Sequence, residues 1–182
     1  MIKLYVIGDT HFGHSNIIDY CDRPFDTVEE MDKTMVKLWN RRVSEDDLVL
    51  HFGDVFFCST DYMFDIMDKL NGNIYLIRGN HDKQTRTKLE DRLGFIKVYD
   101  KIKVGYLTLS HRPCEEAEYN IHAHTHDSEI EDNMRVSVSV ERINYTPIRL
   151  CSVLSYLLND IEWYLPAIKN KLLKEVNNWQ GV

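Results

Sequence analysis

Cysteine pairs, linkers, an excess of positive charge and long apolar runs are all missing from this chain. The four cysteines, Cys21, Cys58, Cys114 and Cys151, lie far apart and form no CxxC pair. Neither a disulfide framework nor a Cys-ligated zinc is therefore expected, and the thiols are read as reduced. No Gly/Ser-rich, low-complexity or repeated segment divides the 182 residues, which argues against a linker or a repeat array. Residues 1–182 are expected to form one domain, with a helical C-terminal extension over about 150–182. No run is apolar for long enough to span a bilayer, and no basic stretch followed by an apolar core and cleavage site opens the sequence. The expected location is the cytoplasm, with no membrane partner. The formal charge of −7 leaves no basic face of the kind that coats nucleic acid, although bound divalent cations would reverse that sign locally.

What the chain does have is a set of short apolar runs that each end in polar, ligand-type residues. Ile74-Tyr75-Leu76-Ile77 runs into Arg78-Gly79-Asn80-His81-Asp82. Ile2 to Ile7 ends in Gly8-Asp9-Thr10-His11, and Asp47 to Phe52 ends in Gly53-Asp54. Tyr106 to Ser110 delivers His111, and Tyr119 to Ile121 delivers His122-Ala123-His124-Thr125-His126. A short apolar run closed by glycine and polar residues reads as a buried strand that delivers a loop at its carboxyl end. In open α/β sheets that edge is where ligands bind.

Between these runs the spacing predicts helices. Thr27 with Glu30 forms a capping box, after which Val28, Met31, Met35, Leu38 and Trp39 recur at helical spacing to about Arg42. Ser59-Thr60 precede a second amphipathic stretch, Tyr62 to Leu70, that ends at Asn71-Gly72. Strand, helix and strand in this order predict right-handed parallel crossovers. A polar helix over Gln84 to Leu93, a hairpin of Phe95 to Val104 with Tyr106 to Ser110, a strand over Met134 to Ile143 and helices beyond Pro147 complete the reading. His51 sits inside an apolar run and reads as a buried, hydrogen-bonded histidine. His14 follows the first strand closely enough to reach the same cleft, as a supporting or substrate-contacting group; Arg23 and Arg112 read either as phosphate clamps, since an arginine fork pairs two phosphate oxygens at once, or as solvated surface arginines.

The candidate ligands are aspartate, asparagine and histidine, with no thiolate required. Such a set suits manganese, iron, nickel or zinc, manganese being the first choice here. It exceeds what one tetrahedral ion needs but would serve two ions sharing a carboxylate. Two ions about 3.5–4 Å apart can hold the oxygens of an in-line phosphoryl displacement, so the chemistry expected is phosphoester hydrolysis.

Asp9-Thr10-His11, Gly53-Asp54, Gly79-Asn80-His81-Asp82, Ser110-His111 and Ala123-His124-Thr125-His126 resemble, in order, the successive motifs of the calcineurin-like metallophosphoesterases. A further likeness lies in Arg135 to Tyr145. The resemblance implies an α/β fold, a four-layer α-β-β-α sandwich of two packed mixed sheets flanked by helices. It implies that Asp9, His11 and His126 hold one divalent ion, that Asn80, His111 and His124 hold the other, and that Asp54 bridges them. It further implies attack by a metal-bridging hydroxide on a phosphodiester or phosphomonoester, a nucleotide among the candidates, with His81 as the acid toward the departing oxygen. Asp82 is expected to cap the following helix or to orient the loop, and His122 to belong to the core or to support the ligands. Ala123 stands where the family more often has glycine, and Val55-Phe56-Phe57-Cys58 lacks the Asp and Arg of the Ser/Thr protein phosphatases. The small size and the Asp-x-His-Phe-Gly-His opening resemble the compact bacterial and phage branch. The alternative from another class is a catalytically silent scaffold of the same fold that binds proteins; loss of ligands or of His81 would mark it, and all are present.

Overall fold

The computed structural model describes residues 2–128, 134–157, 164 and 166–171. Runs that are apolar at nearly every position become parallel strands, because such strands are covered on both faces. β1 (Leu4–Ile7), β2 (Leu48–His51) and β3 (Asn73–Ile77) are of this kind. They lie parallel, with Leu4 opposite Leu48 and Leu48 opposite Asn73. β4 (Val98–Tyr99) continues the sheet beyond β3, and β9 (Ile148–Arg149) closes the other edge antiparallel to β1. The order is β4-β3-β2-β1-β9. A second mixed sheet, in the order β5-β6-β7-β8, is built from β5 (Lys101–Val104), β6 (Leu107–Ser110), β7 (Tyr119–His122) and β8 (Arg135–Ser137).

Alternation decides which side chain enters which core. Leu4, Val6, Leu48, Leu50, Tyr75 and Ile77 point from the first sheet toward Leu107, Leu109 and Ile121 of the second, and together they form the apolar layer between the sheets. Tyr5, Ile7, Val49, Ile74 and Leu76 point the other way. They meet α1 (Ile17–Tyr20), α2 (Val28–Arg42) and α3 (Thr60–Met67). Met31, Met35 and Trp39 form the buried stripe of α2. Thr27 caps that helix, its side chain accepting from the Glu30 amide, while Glu30 reaches back to the amide of Asp26. α4 (Leu150–Leu157) adds Val153, Leu154 and Leu157 to the layer between the sheets.

Just past its last residue, β1 joins the far sheet. The Gly8 amide donates to Val138 O at 2.8 Å, and the Val140 amide donates to Gly8 O at 3.1 Å. The loops leaving β1, β2, β3, β6 and β7 are thereby gathered at one end of both sheets. Gly53 lets two of them touch. Its φ is +92°, and a Cβ there would lie 2.5 Å from Gly79 N and 2.8 Å from His111 Nδ1. Gly53→Ala is expected to destabilise by about 2–3 kcal/mol through overpacking and backbone strain. For a chain of this size that lowers Tm by roughly 5–10 °C, which a thermal melt of metal-free protein would register.

Several expected boundaries shift. The run from Phe95 to Val104 is divided between the sheets at Asp100: Val98–Tyr99 pairs with β3, and only Lys101–Val104 forms the hairpin with β6. The helix expected over Gln84 to Leu93 contracts around a π-helical turn, Lys88–Arg92. The strand expected to reach Ile143 stops at Ser137 and gives way to a 3₁₀ turn, Val140–Ile143, that ends on left-handed Asn144. Ile148–Arg149 pairs as a strand before helix α4 begins. Of the final helix expected from Pro166 through Leu172, Leu173 and Val176, residues 166–171 are helical and the remainder lies outside the described residues. The four cysteines are free thiols, and no helix among the described residues is long and apolar enough to cross a membrane.

Candidate metal centre

Five strand ends bring their polar residues to one place. Ligand atoms of Asp9, His11 and His126 lie within 4.8 Å of one another, and so do those of Asp54, His111 and His124. Asp54 connects the groups: its Oδ2 is 3.8 Å from His11 Nε2 and 3.4 Å from His111 Nε2. Asn80 completes the second group, with Oδ1 3.1 Å from His111 Nε2. Five of these residues, Asp9, His11, Asp54, His124 and His126, have positive φ, a strained arrangement for residues with side chains that clusters at functional sites. Ala123, by contrast, does not have positive φ. The left-handed turns fall on the histidines instead, and Gly8 makes room for the Ala123 methyl, since a Cβ on Gly8 would lie 2.6 Å from it.

Surrounding groups aim the ligands. His111 Nδ1 lies 2.7 Å from Phe52 O, so Nδ1–H donates there and Nε2 turns inward. Asp9 Oδ2 accepts from the His124 amide at 2.7 Å and from the Ser139 hydroxyl at 2.5 Å. His126 Nδ1 meets Glu141 Oε1 at 3.0 Å, the carboxylate–histidine arrangement that orients metal ligands. Arg23 ties this support together. Its Nε and Nη2 donate to Glu141, Nη2 also to Asp9 O, and Nη1 to Thr10 O and to the Met31 sulfur. Arg23 is buried with its fork fully engaged, which corrects both expectations for it: it is neither a solvated surface arginine nor a phosphate clamp. It holds the loop that carries Asp9 and His11. Of the two roles expected for Asp82, the structure shows the loop-orienting one and not the helix cap: it accepts from the amides of Asp54, Val55 and Gly79 and clamps the two loops together.

The other sequence candidates fall into place around this cluster. His14 stands 5.6 Å, ring to ring, from His11. Arg112 is exposed at the rim, with Nη2 3.2 Å from Asn80 Oδ1. His81 presents its ring to His11 at 5.4 Å, edge to face, and its amide donates to Asp54 Oδ1 at 2.7 Å. His51 is buried between Thr10 Oγ1 and the Gly53 amide, as its apolar surroundings suggest. His122 is also buried, its Nδ1 against Ala123 O. Glu141, Cys21 and Ser139 escaped the sequence reading. Glu141 follows the alternating run of Val136, Val138 and Val140, and Ser139 lies within it, and that was the available signal. Cys21 had none; its sulfur joins His126 and Glu141 in a third cluster.

The charges fit a cation seat. Burial pushes Asp9 up to about 6, against the pull of His126 and His111. Burial takes His11 down to about 2 and, with the His111 and Arg112 charges, His124 down to about 4, so both present free lone pairs at neutral pH. Burial would raise Asp54 as well, but hydrogen bonding and charge from His111, the His81 amide and His11 outweigh it and hold the carboxyl at about 2. Burial opposes the proton on His126, yet Cys21, Glu141 and Asp9 raise that imidazole to about 10. Asp9 Oδ1 and both ring nitrogens of His11 are buried with no hydrogen-bond partner among the described residues. Buried polar atoms normally have partners. Oxygen and imidazole donors converging in this way suit divalent ions, and the residues present fit a pair of them.

A family model described as calcineurin-like phosphoesterase matches residues 2–141. Uncharacterized protein MJ1445 of Methanocaldococcus jannaschii is 38% identical over 164 residues, 82% of this chain and 88% of that protein. The gene 66 protein of Mycobacterium phage L5 is 33% identical over 85 residues, 45% of this chain and 41% of the phage protein. Among solved structures, the protein of unknown function AQ665 from Aquifex aeolicus superposes with a TM-score of 0.66 at 22% identity, covering 85% of this chain and 99% of that one. That last likeness is one of fold alone.

Proposed function

We propose that this chain, which belongs to the calcineurin-like phosphoesterases, hydrolyses a phosphodiester or phosphomonoester with two divalent cations. Asp9, His11 and His126 would hold one ion, Asn80, His111 and His124 the other, and Asp54 both. The observation that carries the reading is the place of Asp54 Oδ2, between His11 Nε2 at 3.8 Å and His111 Nε2 at 3.4 Å. When bound, such a pair supplies positive charge to the phosphoryl oxygens and lowers the pKa of water enough to yield a nucleophile at neutral pH.

The protein's own groups do the rest. The His81 ring lies at the lip of the site, and the bond from its amide to Asp54 fixes it relative to the shared carboxylate. A histidine in that position can hand a proton to an alkoxide as it leaves. Arg23 and Glu141 act at a distance from the substrate, keeping the first ligand loop and His126 in place.

The test is metal removal and reloading. After chelation the protein should turn over neither an aryl phosphodiester nor a monoester, and manganese, nickel, iron or zinc should restore hydrolysis of at least one. Loading should weaken as pH falls through about 6, because Asp9 then takes a proton. It should strengthen as pH rises from there, because ion entry displaces the proton of His126. Absence of turnover with every metal, together with a stable protein partner, would favour the silent scaffold instead.

A further inference from the structure

Two open cavities flank the metal centre, and their chemistry differs. The first, about 330 Å³, is lined by Phe57, Met63, His81, Lys83 and Gln84. The second, about 390 Å³, is lined by Arg78, Asn80, Asp100, Lys101, His111 and Arg112. A single exposed apolar residue is ordinary on a protein surface. What sets Phe57 apart is its position. It is 48% exposed, yet its ring lies over His14 at 4.2 Å and stands edge-on to His81 at 5.6 Å. Its amide donates to Phe12 O at 2.9 Å, so the chain beneath the ring is anchored next to the first ligand loop. An aromatic face fixed in this way is a stacking platform for a planar group.

The second cavity is an anion basin. Arg78 is fixed there by bonds to Asp82 O and Gln84 O, and Lys101 and Arg112 are exposed beside it. The carboxylate that lines the basin, Asp100, is paired with Arg86 at 2.6 Å. The planar platform touches His81, the group placed to protonate the departing oxygen, while the basin lies on the side of Asn80 and His111. The two halves of a substrate would therefore be told apart by what they carry.

Resting on the hydrolase reading above, we propose that the substrate is a phosphodiester joining a nucleoside to a half that bears a further phosphate. The departing nucleoside places its base on Phe57, and the extra phosphate lies in the basin of Lys101 and Arg112. Water adds to the bridging phosphorus, the P–O bond to the nucleoside breaks, and the nucleoside oxygen leaves with a proton; the other half keeps both phosphates.

Three diesters test this with metal-loaded enzyme. The dinucleotide pApA carries both features, ApA lacks the terminal phosphate, and the methyl ester of pAp lacks the departing adenosine. Wild-type kcat/KM for pApA should exceed that for each of the others about tenfold or more, the size expected from one stacked base or one well-placed charge pair. Phe57→Ala should collapse the pApA to methyl ester ratio about tenfold, and Phe57→Trp should keep it. Lys101→Gln with Arg112→Gln should collapse the pApA to ApA ratio to a similar degree. Using ratios removes any general effect of a variant on metal content or fold. Wild-type ratios near one, or variants that lower all three substrates equally while bis(p-nitrophenyl) phosphate is still hydrolysed, would overturn the substrate class and leave the hydrolase reading standing. If the aryl diester is also untouched under every metal, both fall together.

Discussion

Replacing Asp54 by asparagine is expected to cost the protein both ions and nearly all turnover. The change keeps the shape of the side chain, and an amide oxygen can still accept from the His81 amide, which now donates to Oδ1 at 2.7 Å. What it removes is the charge and the second acceptor. An –NH₂ in place of Oδ2 would point donors into the space that His11 and His111 share with it at 3.8 and 3.4 Å. Because this one oxygen lies within 4 Å of a histidine from each group, its loss is expected to empty both. Removing one ligand from a two-ion site of this kind lowers activity by about 10³-fold or more, in line with the loss of a main source of charge stabilisation. Metal analysis should find fewer than one ion per chain, with a Tm close to that of the metal-free wild type. Two ions still bound would refute the bridging role.

His81→Ala is expected to behave in the opposite way, keeping both ions and the fold while slowing chemistry. The proposed metal ligands do not include His81, and the amide that bonds Asp54 survives the substitution. A positioned acid contributes about 10²–10⁴-fold, and it does so only where the leaving oxygen needs a proton. Loss in kcat should therefore fall in that range for an alkyl diester and be much smaller for p-nitrophenolate, which leaves as the anion. Equal loss for both leaving groups would show that the imidazole positions the site and does not donate the proton.

The sequence reading succeeded where local pattern and physical cause coincide. β1, β2 and β3 are buried on both faces over nearly their whole length, so they appear as largely apolar runs, and each polar loop starts where its run stops. Thr27 and Glu30 mark the start of α2 because capping is a local event. The boundary at Asp100 was not legible in this way. Val98–Tyr99 and Lys101–Val104 are both strand-forming, and only tertiary packing sends them to different sheets. Arg23 shows the same limit at the site. An arginine near a candidate ligand loop looks like a phosphate clamp, but its partner Glu141 lies 118 residues further along the chain, and only the fold reveals that the fork is already engaged. Phe57 was visible only as part of an apolar stretch; its place beside His81 required coordinates.

The account stands or falls on whether seven side chains from five strand ends share two cations. Anomalous diffraction from crystals grown with manganese measures this directly. Two peaks are expected about 3.5–4 Å apart, one against Asp9, His11 and His126, the other against Asn80, His111 and His124, with Asp54 reaching both. A single peak, or peaks away from Asp54, would contradict it.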